Sequence, residues 1–357
     1  MEEPWLHIHP EFKLNGKSYS LAKLIVVAEA MQFEGDEEDK ILADFLLNWL
    51  YPKDTIIANT SGSTGSPKTI TLDKTKMIAS AKATGTYFDL KEGTTALHCL
   101  SANYIAGKMM MVRALYLGWH IDVVLPNKMP LAQTNKNYDF AAMVPLQLQN
   151  SLKDMHRVKK LIVGGAAVSP VLQEKLQGLP TEVFSTYALT ETITHVAIKK
   201  LNHRSPQETT DDAYEALQNV NFTTDERNCL IIDAPEVSQE KVYTNDVVKL
   251  YSPTKFSWLG RADFVINSGG HKVHPEQVEQ VLALVIDAPF FVTSVPDDLL
   301  GEKVILIVEG KEEAFPEIDY VGLHPYEIPK KVYFVDTMEY TTTGKLQREL
   351  TKEKVLN

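Results

Sequence analysis

Cysteine is scarce in this chain, and long apolar runs are missing from it. Only two cysteines, Cys99 and Cys229, occur among 357 residues, and both stand inside short apolar segments. Two thiols predicted to be buried provide no disulfide framework and are typical of a reducing compartment. No apolar stretch approaches the roughly 20 residues of a membrane-spanning helix, and the acidic start has no signal-peptide pattern. We therefore expect a cytoplasmic protein without a membrane partner.

Basic residues are also in deficit. The chain carries 36 Lys and Arg against 47 Asp and Glu, a net charge of -11. Because nucleic-acid phosphates attract basic surfaces, this balance argues against nucleic acid as a general partner. A local cationic pocket for a small anionic substrate remains compatible with it. The hydrophobic content of 44% is ordinary for a globular protein, and the length favours about two domains.

Short apolar runs alternate with longer amphipathic segments between about residues 55 and 187. This alternation predicts an α/β fold with a mainly parallel sheet covered by helices. A small antiparallel β unit is expected over residues 221–259, and the composition changes again after Asp263. We expect a large N-terminal domain of residues 1–262 and a small α+β C-terminal domain of residues 263–357. The predicted strands are 94–100, 120–125, 138–144, 160–163 and 181–184, and the predicted helices are 73–87, 106–117, 146–155, 170–177 and 275–284.

A run of hydroxyl residues and glycines, ending in a lysine, follows the apolar segment 55–58. Glycine lets the backbone approach a ligand closely, hydroxyl groups add donors, and the lysine supplies a charge for phosphate oxygens. The pattern is not a Walker A sequence, because Pro67 stands where that sequence needs glycine. A flexible surface turn is the alternative for this segment taken alone. The predicted phosphate-binding residues are Ser61, Gly62, Ser63, Thr64, Gly65 and Lys68.

Two further segments directly follow predicted strands, at the sheet edge where open α/β proteins bind ligands. Small residues after strand 160–163 leave room for a planar base against the backbone. After strand 181–184, the side chains provide a ring for stacking, a hydroxyl for phosphate and a carboxylate for Mg²⁺. An ordinary turn with a helix N-cap is the alternative at both places. The residues concerned are Gly164, Gly165 and Ala166 in the first segment and Tyr187, Thr190 and Glu191 in the second.

A fourth segment, residues 341–348, places Lys345 directly after a glycine. A lysine on a glycine turn of a small domain would stabilise the charge that develops on a transferred phosphoryl group. A solvated basic turn is the alternative.

Together these four segments resemble the core motifs of the adenylate-forming superfamily, which includes acyl-CoA synthetases, peptide-synthetase adenylation domains and luciferases. The resemblance runs from about residue 55 to residue 348, and residues 260–279 look like the hinge and following loop of that family. It implies an enzyme that uses ATP, Mg²⁺ and CoA to turn a carboxylic acid into a thioester through an acyl-adenylate. It also implies a mobile C-terminal domain. Because only about 60 residues precede the phosphate segment, we expect an abbreviated N-terminal domain.

The resemblance assigns roles to individual positions. The phosphate segment would hold the β- and γ-phosphates, and the two strand-end segments would hold adenine, the α-phosphate and Mg²⁺. Further positions are implied for ribose, the hinge, CoA and catalysis. In order, these are Asp246 with Arg261 for ribose, Asp263 for the hinge, Ser268, Gly269, Gly270 and Lys272 for CoA, and Lys345 with Thr190 and Glu191 for catalysis.

The acyl substrate is implied by residues 103–115, which are similar to the acyl-contacting segment of aromatic-acid CoA ligases. The whole pattern looks most like the o-succinylbenzoate–CoA ligases of menaquinone biosynthesis, in a short form. The implied acyl-contacting residues are Tyr104, Gly107, Lys108 and His195. That substrate has two carboxylates, and Lys108 or His195 would hold the one that is not activated. A solvated lysine and a core histidine are the respective alternatives.

Two other functions stay open at this point. One is a stand-alone adenylation protein that loads an aryl or amino acid onto a carrier protein, and the other is a degenerate nucleotide-binding protein. The partners expected for the ligase are small-molecule substrates, and self-association into a homo-oligomer stays open.

Overall fold

The computed structural model describes residues 3–59, 69–204, 212–340 and 346–356. Within these ranges the chain forms eight α-helices and twenty strands. No helix in these ranges has the length and apolar character needed to cross a membrane. The helices are α1 Leu21–Glu34, α2 Glu37–Trp49, α3 Lys74–Phe88, α4 Ile105–Leu117, α5 Pro145–Ser151, α6 Pro170–Leu176, α7 Pro275–Leu282 and α8 Arg348–Leu356.

The strands form one large sheet, one smaller sheet and one separate hairpin. They are β1 Lys13–Leu14, β2 Lys17–Ser18, β3 Thr55–Asn59, β4 Thr69–Asp73, β5 Thr95–His98, β6 His120–Val123, β7 Tyr138–Met143, β8 Val158–Val163, β9 Glu182–Ala188, β10 His195–Lys200, β11 Tyr214–Ala216, β12 Asn221–Thr224, β13 Cys229–Asp233, β14 Val242–Ser252, β15 Lys255–Arg261, β16 Ile266–Ser268, β17 His271–Val273, β18 Phe290–Asp297, β19 Gly301–Glu309 and β20 Val332–Val335.

Helix starts follow local capping chemistry. The carboxylate of Asp73 accepts the main-chain N–H of Thr75 at 2.7 Å and so caps α3. The hydroxyl of Ser169 accepts the N–H of Leu172 at 3.2 Å and caps α6, where proline occupies the first helical position. Helix α4 ends at Gly118, whose φ of +74° is a left-handed conformation that glycine adopts without steric cost.

The large sheet has thirteen strands in the order β12-β13-β14-β15-β11-β10-β9-β8-β7-β5-β6-β1-β2. Its strands β6, β5, β7, β8 and β9 are parallel to one another. Helices α3 and α4 pack on one face, where Met77 and Met109 join the same core as Phe140. Helices α5 and α6 pack on the other face with Leu148 and Leu172. The predicted α/β architecture is therefore confirmed for this half of the sheet.

The other half of the large sheet is antiparallel. Its position differs from the one expected for the small β unit of residues 221–259. The predicted small β unit continues the parallel sheet instead of standing apart from it, so the sheet as a whole is mixed. The link is the three-residue strand β11, in which Tyr214 pairs with Phe256 of β15 while Ala216 pairs with Ala197 of β10. A strand this short leaves too little periodic sequence to be recognised.

The second sheet begins directly after the first ends. Its order is β17-β16-β19-β18, with β20 parallel to β19, and α7 contributes Val278 and Leu282 to its core. Helix α7 also touches the first sheet. The side chain of Gln277 donates to the carbonyl oxygens of Trp258 at 3.3 Å and Leu259 at 3.1 Å.

Candidate active site

The sequence-predicted strand ends meet at one edge of the large sheet. Strands β8 and β9 are parallel neighbours, with Val163 opposite Ser185, so Gly164 and Tyr187 both lie at their carboxyl ends. A Cβ on Gly164 would lie 2.6 Å from the hydroxyl oxygen of Thr186. This close approach excludes any larger residue without a shift of the backbone or of Thr186. The turn therefore presents bare backbone at the sheet edge.

Tyr187, Asp246 and Arg261 form a polar cluster beside this edge. The Tyr187 hydroxyl donates to Oδ2 of Asp246 at 2.5 Å, and Asp246 is buried. In the β14–β15 ladder Asp246 lies opposite Arg261, whose Nη1 is 3.8 Å from Oδ1. Burial, followed by the negative charge of Asp246, raises the pKa of Tyr187 well above its usual range. The hydroxyl therefore remains a neutral donor, and Oδ1 keeps capacity for further donors.

The residue predicted as a hinge is bonded to the same cluster. Nη2 of Arg261 donates to Oδ2 of Asp263 at 2.7 Å, and Nδ2 of Asn245 donates to Oδ1 at 3.3 Å. The main-chain N–H of Arg261 donates to Glu276, in the first turn of α7, at 3.2 Å. The join between the two sheets therefore lies next to the Asp246 carboxylate.

Thr190 and Glu191 lie in the 3-10 turn Thr190–Thr192 that follows β9. The turn is closed by the hydroxyl of Thr192, which donates to the carbonyls of Leu189 at 3.1 Å and Thr194 at 2.9 Å. Glu191 is exposed and has no hydrogen bond or ion pair with another described residue. The described residues include no group of three or more His, Cys, Asp or Glu that could hold a metal ion. A Mg²⁺ here would therefore take most of its ligands from substrate phosphates and water, as this ion commonly does.

The predicted acyl-contacting residues do not all point to one place. Tyr104 precedes α4 and is half exposed. A Cβ on Gly107 would lie 2.2 Å from the carbonyl oxygen of Ser101, so only glycine fits there. The ammonium of Lys108 donates to the carbonyl of Ala102 and lies 5.6 Å from the ring centre of Phe45. Lys108 is therefore already engaged by its surroundings.

His195 is buried, and its environment contains a cation that the sequence did not point out. The His195 Nε2 lies 3.3 Å from the hydroxyl of Thr84, and the same hydroxyl accepts from Nε of Arg113 at 3.2 Å. Arg113 is 1% exposed, its Nη2 has no hydrogen-bond partner, and no described acidic residue pairs with it. The signal in the sequence was an arginine in the otherwise uncharged stretch of residues 109–117 in α4.

This cluster carries positive charge in a low-dielectric core. Burial lowers the pKa of Arg113 to about 9. Burial, and then the charge of Arg113, lowers the pKa of His195 well below its usual range. An arginine held this way, without an acidic partner among the described residues, is costly to the fold. A small cavity reaches His195, and it is also lined by Ser80, Ala83, Val196, Leu217, Val237 and the acidic Glu236.

The predicted CoA residues lie on the second sheet. Gly269 and Gly270 form the turn between β16 and β17, with φ of +57° and +80°. Ser268 is buried beside them and Lys272 is exposed. A Cβ on Gly269 would lie 2.7 Å from the ring of Tyr326. No hydrogen bond among the described residues joins this turn to the Tyr187 cluster.

The remaining predictions fall outside the described residues. In the β3–β4 hairpin Asn59 pairs with Thr69, on either side of residues 60–68. Tyr340 and Leu346 form an isolated antiparallel bridge, on either side of residues 341–345. The residues concerned are Ser61, Gly62, Ser63, Thr64, Gly65 and Lys68 in the first segment and Lys345 in the second.

A family model described as AMP-binding enzyme matches residues 19–234, more than half of the chain. The chain belongs to this family. It is 26% identical, over 335 residues, to the 2-succinylbenzoate–CoA ligase of Staphylococcus epidermidis strain ATCC 12228, a match that covers 84% of this chain and 69% of that protein. The predicted resemblance to adenylate-forming enzymes is thus confirmed.

Solved structures of relatives share the fold. The acyl-CoA synthetase (AMP-forming)/AMP-acid ligase II-like protein from Dyadobacter fermentans is 36% identical, with 92% of this chain and 97% of that chain covered and a TM-score of 0.61. The o-succinylbenzoate CoA synthetase from Bacillus subtilis, in complex with its acyl-adenylate intermediate, is 15% identical with a TM-score of 0.79, covering 98% and 97%. This AMP-binding enzyme therefore has the adenylate-forming architecture, with a large sheet-rich part and a smaller part.

Proposed function

We propose that this chain is an acid–thiol ligase that adenylates a carboxylic acid with ATP and then transfers the acyl group to CoA. The observation that carries the proposal is the Tyr187–Asp246–Arg261 cluster at the carboxyl edge of the sheet. Its buried carboxylate has acceptor capacity for ribose hydroxyls. The bare backbone at Gly164 and Gly165, with Ala166 following, lies at the same edge for adenine. This combination supports a nucleoside ligand in the orientation usual for open α/β sheets.

In the first half-reaction, a carboxylate oxygen of the acid attacks the α-phosphorus of ATP. The bond from that phosphorus to the bridging oxygen breaks, and pyrophosphate leaves with the electron pair. The Thr190 hydroxyl would bind the α-phosphate, and Lys345 would neutralise charge between the carboxylate and the α-phosphate. Residues 61–68 would hold the outgoing phosphates. Glu191 would hold Mg²⁺, which supplies further charge neutralisation when bound.

In the second half-reaction, the thiol of CoA attacks the acyl carbonyl and AMP leaves. The turn of Ser268, Gly269 and Gly270 would admit the thin pantetheine arm, and Lys272 would meet CoA phosphate. This requires residues 263–357 to move as a domain relative to residues 1–262, with Asp263 at the hinge. Movements of this kind separate successive steps in other enzymes.

For the acid, we propose o-succinylbenzoate, so that the product would serve menaquinone biosynthesis. The buried Arg113, which has no acidic partner among the described residues, supports a substrate with a second carboxylate. Thr84 and His195 would orient that carboxylate beside the guanidinium. Lys108 is less suited to the role because its ammonium already donates to Ala102. The names of the relatives from Staphylococcus and Bacillus agree with this choice.

The experiment is CoA-dependent release of AMP from ATP with three acids: o-succinylbenzoate, benzoate and hexanoate. The proposal predicts turnover with o-succinylbenzoate only, and a loss of that turnover in Arg113→Met. Lys108→Met is the matched control, because it removes the other candidate cation near α4. Pyrophosphate exchange without thioester formation would favour the carrier-loading alternative. Equal turnover of benzoate would contradict the role of a second carboxylate.

A further inference from the structure

Gln147, in the short helix α5, is almost fully buried and uses both polar atoms of its side chain. It is 5% exposed. Its Nε2 donates to the carbonyl of Cys99 at 2.8 Å and to the carbonyl of Asn127 at 3.0 Å. Its Oε1 accepts the main-chain N–H of Val144 at 3.2 Å. Because a buried polar group without a partner is costly, these three bonds hold the side chain and the main-chain groups that it meets in one arrangement.

The three main-chain groups follow three parallel strands. Cys99 comes directly after β5, Asn127 lies in the connection after β6, and Val144 comes directly after β7. The carboxyl ends of parallel strands lie at the same edge of a sheet, which is the edge where open α/β proteins bind ligands. Gln147 therefore ties three connections together at the edge that carries the candidate site.

On one side, Gln147 supports the glycine turn proposed for adenine. The N–H of Gly164 donates to the carbonyl of Met143 at 3.2 Å. A Cβ on Gly165 would lie 3.5 Å from a methyl group of Val144. The glycine turn thus lies against residues 143 and 144, where Gln147 bonds to the main chain. A shift of the Val144 main chain would move the surface that supports this turn.

On the other side, Gln147 supports the segment proposed to contact the acid. The carbonyl of Cys99, which accepts from Gln147, is two residues before Ser101. The carbonyl of Ser101 accepts the N–H of Tyr104 at 3.2 Å. The same carbonyl lies so close to Gly107 that a Cβ there would be 2.2 Å from its oxygen. The start of α4 therefore rests on the strand end that Gln147 holds.

We propose that Gln147 is a positioning residue that sets the placement of the acid relative to the adenine of ATP in the adenylation half-reaction. The inference rests on the function proposed above, in which the segments after β5 and β8 bind these two ligands. The bond to Cys99 reaches the first segment, and the bond to Val144 supports the second. Attack of a carboxylate on the α-phosphorus needs both ligands in one arrangement, and a misplacement of about 1 Å costs on the order of 100-fold.

The test compares Gln147→Met with Gln147→Glu in ATP–pyrophosphate exchange with o-succinylbenzoate. Gln147→Met keeps the length of the side chain and removes all three bonds, so we expect kcat/KM to fall by roughly 10- to 100-fold for both ATP and the acid. Gln147→Glu keeps an acceptor for Val144 and removes the donor to Cys99 and Asn127. In this variant we expect the KM for the acid to rise by roughly tenfold, with the KM for ATP within about twofold. Gln147→Glu also carries the test if Gln147→Met fails to fold.

The matched control is Asn202→Leu, which alters another buried amide with three main-chain bonds. Oδ1 of Asn202 accepts the N–H of Val183 at 2.9 Å, and its Nδ2 donates to the carbonyls of Leu176 at 3.0 Å and Thr181 at 2.8 Å. These bonds lie at the start of β9, at the opposite edge of the sheet. Asn202→Leu should lower the Tm as Gln147→Met does, but leave both KM values within about twofold below the unfolding temperature.

Unchanged kcat/KM values in both Gln147 variants would overturn the positioning role. Equal kinetic losses in Asn202→Leu would also overturn it, because they would report a general loosening of the fold. Failure of the proposed function is distinguishable from either result. The unaltered chain would then show no exchange with o-succinylbenzoate, and the inference would fall with it.

Discussion

The hydroxyl of Tyr187 and the carboxylate of Asp246 are joined by a 2.5 Å hydrogen bond, although the two residues are 59 positions apart in the chain. The bond links the end of the parallel half of the sheet to the ladder that carries Arg261. It also leaves Oδ1 of Asp246, 3.8 Å from the Arg261 guanidinium, without a close donor among the described residues. Under the proposed function, the Asp246 carboxylate would accept hydrogen bonds from the ribose hydroxyls of ATP.

The first prediction concerns this bond. Tyr187→Phe keeps the ring next to Phe256 and removes only the donor to Asp246. A hydrogen bond to a charged group contributes about 1.5 kcal/mol, or roughly tenfold in binding. We expect the KM for ATP in pyrophosphate exchange to rise by about that factor. Tyr214→Phe, which loses a 2.9 Å bond to Ser185 in the same aromatic cluster, is the control. An unchanged KM in Tyr187→Phe would contradict the proposal that Asp246, oriented by Tyr187, binds ribose.

The second prediction concerns the glycine turn after β8. In Gly164→Ala the new methyl group would meet the Thr186 hydroxyl at 2.6 Å, and overpacking of this kind costs about 1–3 kcal/mol. We expect a lower Tm together with a raised KM for ATP. Gly178→Ala is the matched control, because a Cβ there meets nothing within 4 Å. If both variants had the same KM for ATP, nucleotide binding would not depend on the absence of a side chain at Gly164.

The third prediction is that Arg113→Met has opposite effects on stability and on turnover. Arg113→Met removes a buried charge that no acidic residue in the described part of the chain balances, so thermal unfolding without substrate should show an unchanged or raised Tm. Turnover of o-succinylbenzoate should fall by roughly 100-fold, since loss of a buried charge-assisted contact costs about 3 kcal/mol. A large fall in Tm would instead assign Arg113 a purely structural role.

The fourth prediction is a pH dependence of stability. Burial lowers the pKa of His98 to about 4. Between pH 6.5 and about 4, the unfolded chain binds a proton at this residue and the folded chain does not. Stability therefore falls as the pH falls, by up to about 1.4 kcal/mol per pH unit.

Chemical denaturation of His98→Leu at several pH values checks this dependence. The slope of unfolding free energy against pH should be shallower in the variant by about one proton. His7→Gln, which alters an exposed histidine, should keep the original slope. An unaltered slope in His98→Leu would mean that the buried ring is protonated in the folded protein.

Much of the fold and part of the site could be predicted from the sequence because residues close together in the chain determine them. Strand β8 is an apolar run that ends in glycines, and α3 starts at a capping aspartate, so neighbouring residues decide these features. The resemblance implied Asp246 with Arg261 for ribose and Tyr187 for adenine, but the hydrogen bond between Tyr187 and Asp246 was not predicted. Its geometry depends on strand order, which the short strand β11 sets through pairing on both of its sides.

The role of Arg113 was not predicted, because its contact also joins residues that are far apart in the chain. Its partner Thr84 is 29 positions away on another helix, and no local pattern reports such a contact. Lys108 was named instead, although Arg113 lies in the same segment of residues 103–115. The structure shows that the carbonyl of Ala102, six positions earlier, already accepts its ammonium.

The central claim, that a carboxylate of the substrate attacks the α-phosphorus of ATP, has a direct isotopic test. The chain is incubated with ATP, CoA and o-succinylbenzoate labelled with oxygen-18 in its carboxylates, and the products are analysed by mass spectrometry. The account predicts one labelled oxygen in AMP, unlabelled pyrophosphate and a CoA thioester. Label in inorganic phosphate with ADP as product, or AMP without label, would contradict it.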